Sequence, residues 1–483
     1  MNSVPATVSE PDTGPGLRHP GTGTGPPRPM PLGRTGILAL ASVASFMVAL
    51  DLLVVTTALE TIRRDIGASP AALQWTLTAY SLSFAGLLMT GAALGDRFGR
   101  RRVLAAGLAV FVLGSAAAAL SSSVGELVAA RVVQGAGGAV ILPLSLAIVS
   151  AAFPPERQGA AIGVLEGVTG LAVIAGPVVG GLVVQHLTWQ WVFWVNVPIG
   201  LVAVPLVLAG VAESRGPDRT LDLPGLALVG AASFSLVWGL VRGNDVGWVS
   251  VDILAALAAG VALGAAFVTV ERRVAAPMLP TRLFASRSFS AGVSAAFLLS
   301  ASLYASVFLM AQFLQVGLGH DVLGAGLRLL PWTATLLVVA PVGGLLADRF
   351  GPRPVLAGGL ALQVVGLAWL ALVADAGQPY GTIVVPLVVA GVGCSAAIPV
   401  SQAAVVGSVA RDEVGKAAGA TNMLQELGGA FGVAVGVAVF AAAGSYTSAR
   451  EFSDGFGAAM AAAAGVAGLG LAAALALPRR EAA

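Results

Sequence analysis

Leu94-Gly95-Asp96-Arg97-Phe98-Gly99-Arg100-Arg101-Arg102 returns 252 residues later as Leu346-Ala347-Asp348-Arg349-Phe350-Gly351-Pro352-Arg353. Each copy is a short basic break between two long apolar runs, so the chain repeats itself at about half its length. Two halves repeated in the same orientation are a transporter architecture, with the substrate site expected between them. Pro352 interrupts the basic run of the second copy.

Outward from these loops the sequence reads as fourteen apolar runs, the first at about 36–58 and the last at about 456–477. Each is close to the ~20 residues with which a helix crosses a hydrocarbon core. The composition agrees. Of 483 residues, 57% are hydrophobic and 10% charged, against about 25% charged in a soluble domain, and the mean hydropathy is +0.89. That excludes a soluble globule and a disordered chain. The runs are continuous and do not alternate in polarity, which argues against a β-barrel. Residues 1–34 hold eight prolines and six glycines and read as a flexible tail. The single cysteine, Cys394, excludes an intramolecular disulfide and a cysteine-built metal cluster.

Arginine placement sets the orientation. With the N-terminus in the cytoplasm, 20 of the 26 basic residues fall on the cytoplasmic side, and five on or near the other. Both chain ends are therefore expected inside, in a multi-pass protein of the plasma membrane. An even number of spans agrees.

A charge inside a membrane span costs at least about 2.5–3.5 kcal/mol and is usually functional. Four such groups stand out: Asp51, Arg131, Glu166 and Glu426. At 1.5 Å per residue, Asp51 lies roughly 22 Å and Arg131 roughly 21 Å from the inner edge, so the two are expected to meet. An arginine lowers a carboxylate's proton affinity and burial raises it, which suits a protonation-sensitive pair; a permanent structural ion pair is the alternative. Glu166 and Glu426 come out near the midplane, where each can carry a proton or attract a cationic substrate.

Several motifs resemble those of the major facilitator superfamily, in its fourteen-helix drug–proton antiporter branch. The two Asp-Arg-x-Gly loops are similar to its signature loop, with Ala92 where the first copy usually has glycine. Span four carries Leu127-x-x-x-Arg131-x-x-Gln134-Gly135-x-Gly137, and span five carries Gly167 and Gly176-Pro177-Val178-Val179-Gly180-Gly181. The latter resembles the motif associated with antiporters. Leu50-Asp51 with Ala58-Leu59, and Trp189 to Gly200, also match, although Leu53, Thr56, Thr57, Glu60 and Gln190 depart from the usual pattern.

The resemblance implies an all-α polytopic membrane protein of the major facilitator fold. It would have a disordered tail (1–34), a six-helix bundle (35–212), two inserted helices with linkers (213–288), a second six-helix bundle (289–477) and a short tail (478–483). It implies proton-coupled efflux of lipophilic, cationic or antibiotic-like compounds by alternating access, with drug and antibiotic resistance as the physiological expectation. A metabolite exporter or importer on the same fold is the alternative. Asp51, Arg131, Glu166 and Glu426 become candidate proton-coupling residues. Gly167, Gly176, Pro177, Gly180 and Gly181 would form a close, bendable contact between the halves. Asp96, Arg97, Gly99, Arg100, Asp348, Arg349 and Gly351 would engage helix N-termini and arginines when the cytoplasmic side is closed. Tyr80, Tyr304, Gln312, Gln315, Asn422 and Gln425 are candidate cavity residues.

Other chemistry finds no support in the sequence. A phosphate-binding Gly-x-x-x-x-Gly-Lys-Ser/Thr stretch is missing, as is His-Glu-x-x-His. Neither cofactor nor metal is expected beyond the proton as coupling ion, and the expected partners are a small lipophilic substrate and the bilayer rather than nucleic acid. The longest breaks between spans are about 20 residues, too short for the soluble domain of an enzyme.

Overall fold

The computed structural model describes residues 32–67, 70–216, 222–274, 277–373 and 375–478. Most of the expected N-terminal tail and residues 479–483 lie outside them. Every long apolar run becomes helix, because in lipid a segment must satisfy its own backbone hydrogen bonds. In chain order these are α1 (Arg34–Ile66), α2 (Pro70–Phe98), α3 (Arg100–Ala119), α4 (Val124–Ala152) and α5 (Pro155–His186). Then come α6 (Trp191–Gly210), α7 (Leu223–Val246), α8 (Val251–Glu271), α9 (Arg287–Gln312) and α10 (Leu330–Phe350). The series ends with α11 (Pro352–Val373), α12 (Gly381–Val406), α13 (Val414–Ala443) and α14 (Ala449–Leu475).

Among the described residues, thirteen helical segments are long and apolar enough to cross a membrane. The 32-residue α5 is the remaining long helix and completes the order read from the sequence. Two spans are less regular than expected. The run at 322–346 is broken into Val322–Arg328, Leu330–Thr333 and Thr335–Phe350. The end of α9 widens into a π-turn at Phe313–Gly317. Local chemistry sets other boundaries: the Ser123 hydroxyl accepts from Glu126 N at 3.3 Å while the Glu126 carboxylate accepts from Ser122 N at 2.8 Å, a reciprocal cap that starts α4.

The helix pairings repeat in the two halves. In the first, α1 packs on α5, α2 on α4 and α3 on α4; in the second, α9 packs on α13, α10 on α12 and α11 on α12. Between the halves, α5 lies along α10 and α2 along α13. The inserted hairpin, α7 and α8, enters through α7, which touches both α2 and α13.

Small residues set the distance across this interface. A Cβ on Gly163 would sit 2.5 Å from the Ala340 carbonyl oxygen, and one on Gly419 would sit 2.6 Å from Ala92 Cβ. A Cβ on Gly344 would overlap the Gly159 carbonyl. These backbone approaches are the close contacts expected of membrane helices with small residues at the crossing.

Candidate functional site

Asp51 is midway along α1 and wholly buried. Arg131 of α4 pairs with its Oδ2. Gln134, a turn further along α4, donates to Asp51 Oδ1 at 2.7 Å, and Asn196 of α6 donates to the same oxygen at 2.9 Å. Arg131 also donates to the Gln134 side-chain oxygen at 2.7 Å and to the Thr76 carbonyl at 3.2 Å. Ser115 of α3 accepts from Gln134 at 3.1 Å and from Asn196 at 2.9 Å, and donates to the Phe193 carbonyl at 2.9 Å. Every member of this set is buried. Glycine makes the convergence possible: a Cβ on Gly114 would lie 2.8 Å from Gln134 N, so α3 comes close enough for Ser115 to reach in.

Such a charge pair is stable in a dry interior only because further hydrogen bonds satisfy it. Asp51 has three donors. Arg131 keeps one terminal nitrogen, Nη2, without a hydrogen-bond partner among the described residues, and Asn196 Oδ1 and the Tyr80 hydroxyl are likewise unpartnered. Protonation of Asp51 would remove the charge that holds Arg131, Gln134 and Asn196 together. The sequence carried Gln134 and Asn196 inside its motifs without assigning them this task, and it missed Ser115. The available signal was a buried polar residue in an otherwise apolar span.

Glu166 and Glu426 behave differently. Both are half-buried, on α5 and α13, and neither has a hydrogen bond or ion pair among the described residues. Tyr304 of α9 lies within electrostatic range of both. Its ring packs at Gly429, where a Cβ would lie 3.1 Å away, yet the residue remains 45% exposed. Gln402 of α12 donates to Gln425 at 2.8 Å and to Asn422 at 3.5 Å, a polar strip on the same helix as Glu426.

Three cavity assignments need correction. Tyr80 is buried, not cavity-lining: the Arg131 guanidinium stands 4.1 Å over its ring, and Phe84 stacks on it. Gln312 is at the far end of α9, where the Tyr446 hydroxyl donates to it at 2.5 Å. Gln315 turns back on its own chain, donating to the Ala311 carbonyl at 3.2 Å. Both glutamines satisfy the irregular end of a helix.

The antiporter-like motif also differs from expectation. Gly167 does approach the second half, with a Cβ there 3.2 Å from the Leu336 carbonyl. Gly176 instead packs inside its own half, where a Cβ would lie 2.7 Å from Leu53 Cβ of α1. Gly181 faces open space and Gly180 is buried; the Pro177 side chain lies outside the described residues. The close approaches to the second half come from Gly159, Gly163 and Gly167, one or more turns earlier in α5.

The signature loops are built alike. Gly99 and Gly351 follow their helices with φ of +108° and +86°, a backbone region that only glycine enters cheaply. Arg97 lies over Phe98 at 4.9 Å, and Arg349 over Phe350 at 5.2 Å. Asp348 accepts from Gly159 N and Ala160 N, each at 2.9 Å. Asp96 pairs with Arg100 at 2.8 Å and abuts Gly415 at the start of α13. Each signature aspartate thus meets the early turns of a helix in the other half. Glu213, missed by the sequence reading, braces the first loop: it accepts from Arg101 N at 3.0 Å.

Two six-helix halves packed along α5–α10 and α2–α13, with a carboxylate–arginine pair buried in the first, have the architecture of a membrane transporter, not an enzyme. The family whose pattern matches is the Major Facilitator Superfamily, over residues 41–330 and 292–483, and the chain belongs to this superfamily. It is 36% identical over 401 residues to the tetracenomycin C resistance and export protein of Streptomyces glaucescens, covering 83% of this chain and 74% of that protein. It is 35% identical over 429 residues to the cephamycin export protein CmcT of Amycolatopsis lactamdurans, covering 88% of each. Among solved structures, the proton:xylose symporter XylE shares the fold, with a TM-score of 0.63 at 16% identity over 92% of this chain and 96% of that one.

Proposed function

We propose that this chain exports lipophilic, cationic or antibiotic-like compounds across the plasma membrane in exchange for protons, with the signature-loop face in the cytoplasm. The observation that carries the reading is the sealed network around Asp51, a carboxylate with an arginine partner inside a helical bundle. Relatives named for the export of tetracenomycin C and of cephamycin support the direction and the class of substrate.

The residues divide the work. Glu166 and Glu426, without fixed partners, meet a cationic substrate or a proton in a cleft between the halves. Asp51 takes a proton when the cleft opens toward it, and its release of Arg131, Gln134 and Asn196 loosens α1 from α4 and α6. Closure of the loop face by Asp96, Asp348 and the α5–α10 crossing faces the cleft outward; rocking of the halves reverses access. One proton returning across 100 mV supplies about 2.3 kcal/mol, enough to move a neutral substrate about 50-fold uphill, whereas one-for-one exchange with a cation draws on the pH gradient alone.

The test is gradient-driven transport in vesicles against a panel of such compounds. The wild type is expected to move at least one, and to stop when the proton gradient is collapsed. Asp51→Asn, Glu166→Gln and Glu426→Gln are expected to lose the gradient dependence. Full proton-driven export by Asp51→Asn would sink the reading.

A further inference from the structure

At the base of the inserted hairpin, on the signature-loop face, two carboxyl groups point at each other. Asp222 caps α7, its Oδ1 accepting from Gly225 N at 2.8 Å. Glu271 ends α8, its Oε2 accepting from Leu279 N at 3.0 Å. The remaining oxygens, Asp222 Oδ2 and Glu271 Oε1, have no hydrogen-bond partner among the described residues. They converge on one point: a Cβ on Gly225 would sit 2.5 Å from the first and 2.8 Å from the second. Asp222 stands within hydrogen-bonding reach of Glu271. The residues are 7% and 3% exposed, among Leu226, Met278, Leu279 and Phe267.

Two acceptors cannot hydrogen-bond each other without a proton between them, and two buried carboxylates side by side cannot both ionise cheaply. Among the described residues, the surrounding cations do not compensate. Arg272 and Arg273 are exposed, Arg282 is turned to Glu413 at 2.6 Å, and Lys416 donates to the Pro277 carbonyl at 2.9 Å. Among the described residues, the charged group facing Glu271 is Asp222 itself, and α7 and the strap at 277–280 offer it backbone donors and apolar side chains.

We propose that Asp222 and Glu271 form a proton-binding site, separate from the cleft, in which one shared proton fastens the hairpin base to the strap leading into α9. The proton bridges Oδ2 and Oε1 and exchanges with water at the loop face. Its loss leaves two negative charges in a site with two backbone donors, so the ends of α7 and α8 part and Leu279 is released. The same strap carries Pro277 and Arg282, which reach Lys416 and Glu413 at the start of α13, beside Asp96. The site therefore ties closure of the loop face to the pH on that side. It does not depend on proton-driven transport.

The test uses the full chain in lipid nanodiscs without any transport assay. Infrared spectra across a pH titration are expected to show a carboxylic-acid carbonyl band that is lost at high pH and is missing from both Asp222→Asn and Glu271→Gln. Amide hydrogen exchange, corrected for its intrinsic pH dependence, is expected to rise about tenfold or more at 277–286 as that band titrates. Glu271→Gln, which supplies an N–H in place of the proton, should keep the strap protected at all pH values. The inference is overturned if no band is common to the two variants, or if Glu271→Gln exchanges like alkaline wild type. Flat exchange in the wild type overturns it even if neither variant folds.

Discussion

The two halves share their pairings but not their electrostatics. At the repeat distance of 252 residues, Leu303 and Ile383 stand where the first half has Asp51 and Arg131. The second half fills the neighbouring space with neutral groups. Gln363 donates to Ser302 at 3.2 Å, Ser302 donates to the Ala463 carbonyl at 2.8 Å, and Ser306 donates to the Ser302 carbonyl at 2.7 Å. Both solutions hydrogen-bond most of their buried polar atoms and leave a few unpartnered among the described residues, such as Arg131 Nη2 in the first and Gln363 Oε1 in the second. Only the first can change its charge, so the same architecture holds a switchable core in one half and a fixed one in the other. The loop face shows the opposite relation. Asp96 at Gly415 and Asp348 at Gly159 are one contact made twice, once from each half.

The comparison can be broken first at the charge pair. Arg131→Leu leaves Asp51 buried and uncompensated, and is expected to cost about 3–5 kcal/mol in unfolding experiments in mixed micelles. Asp51→Leu combined with Arg131→Leu should recover most of that stability while transport stays dead. If the double variant is as unstable as the single one, the pair matters for packing and not for its charge. Next is the crossing between halves: Gly344→Ala pushes a methyl into the Gly159 carbonyl, at an expected cost of about 1–3 kcal/mol to the closed loop face. Labelling of an introduced loop-face cysteine should speed up accordingly. In the second half, Ser302→Ala removes neutral hydrogen bonds, with an expected loss of about 0.5–1.5 kcal/mol and unaltered transport. A transport defect as large as that of Asp51→Asn would make the two halves electrostatically equivalent after all. Smallest in stability are Glu166→Gln and Glu426→Gln, expected to stay within about 0.5 kcal/mol of wild type because no partner among the described residues is lost, while their transport is expected to lose its gradient dependence.

The repeated loop, the order of the spans and the four in-span charges were all visible in the sequence. The depth arithmetic brought Asp51 and Arg131 to the same level of the bundle, and they do meet. Tyr80, Gln312 and Gln315 were misplaced for one reason: residue type and position along a helix give depth, not the direction a side chain takes. Tyr80 points under Arg131 and the two glutamines serve a helix end. Gly176 shows the same limit from the packing side. Its spacing to Gly180 marks a small-residue face, but which helix fills that face depends on how α5 leans, and here α1 fills it.

The sequence by itself determined the solvent, the helical segments and the duplication, because in lipid each span must close its own hydrogen bonds within about 20 residues and local hydropathy records that. Only the tertiary structure decided which charges are paired and which are left open. Asp51's three donors lie 80, 83 and 145 residues away in the chain, and Glu166 and Glu426 are left without partners among the described residues. Pairing across helices depends on side-chain directions and crossing distances, which glycines such as Gly114 and Gly344 set and no local pattern encodes.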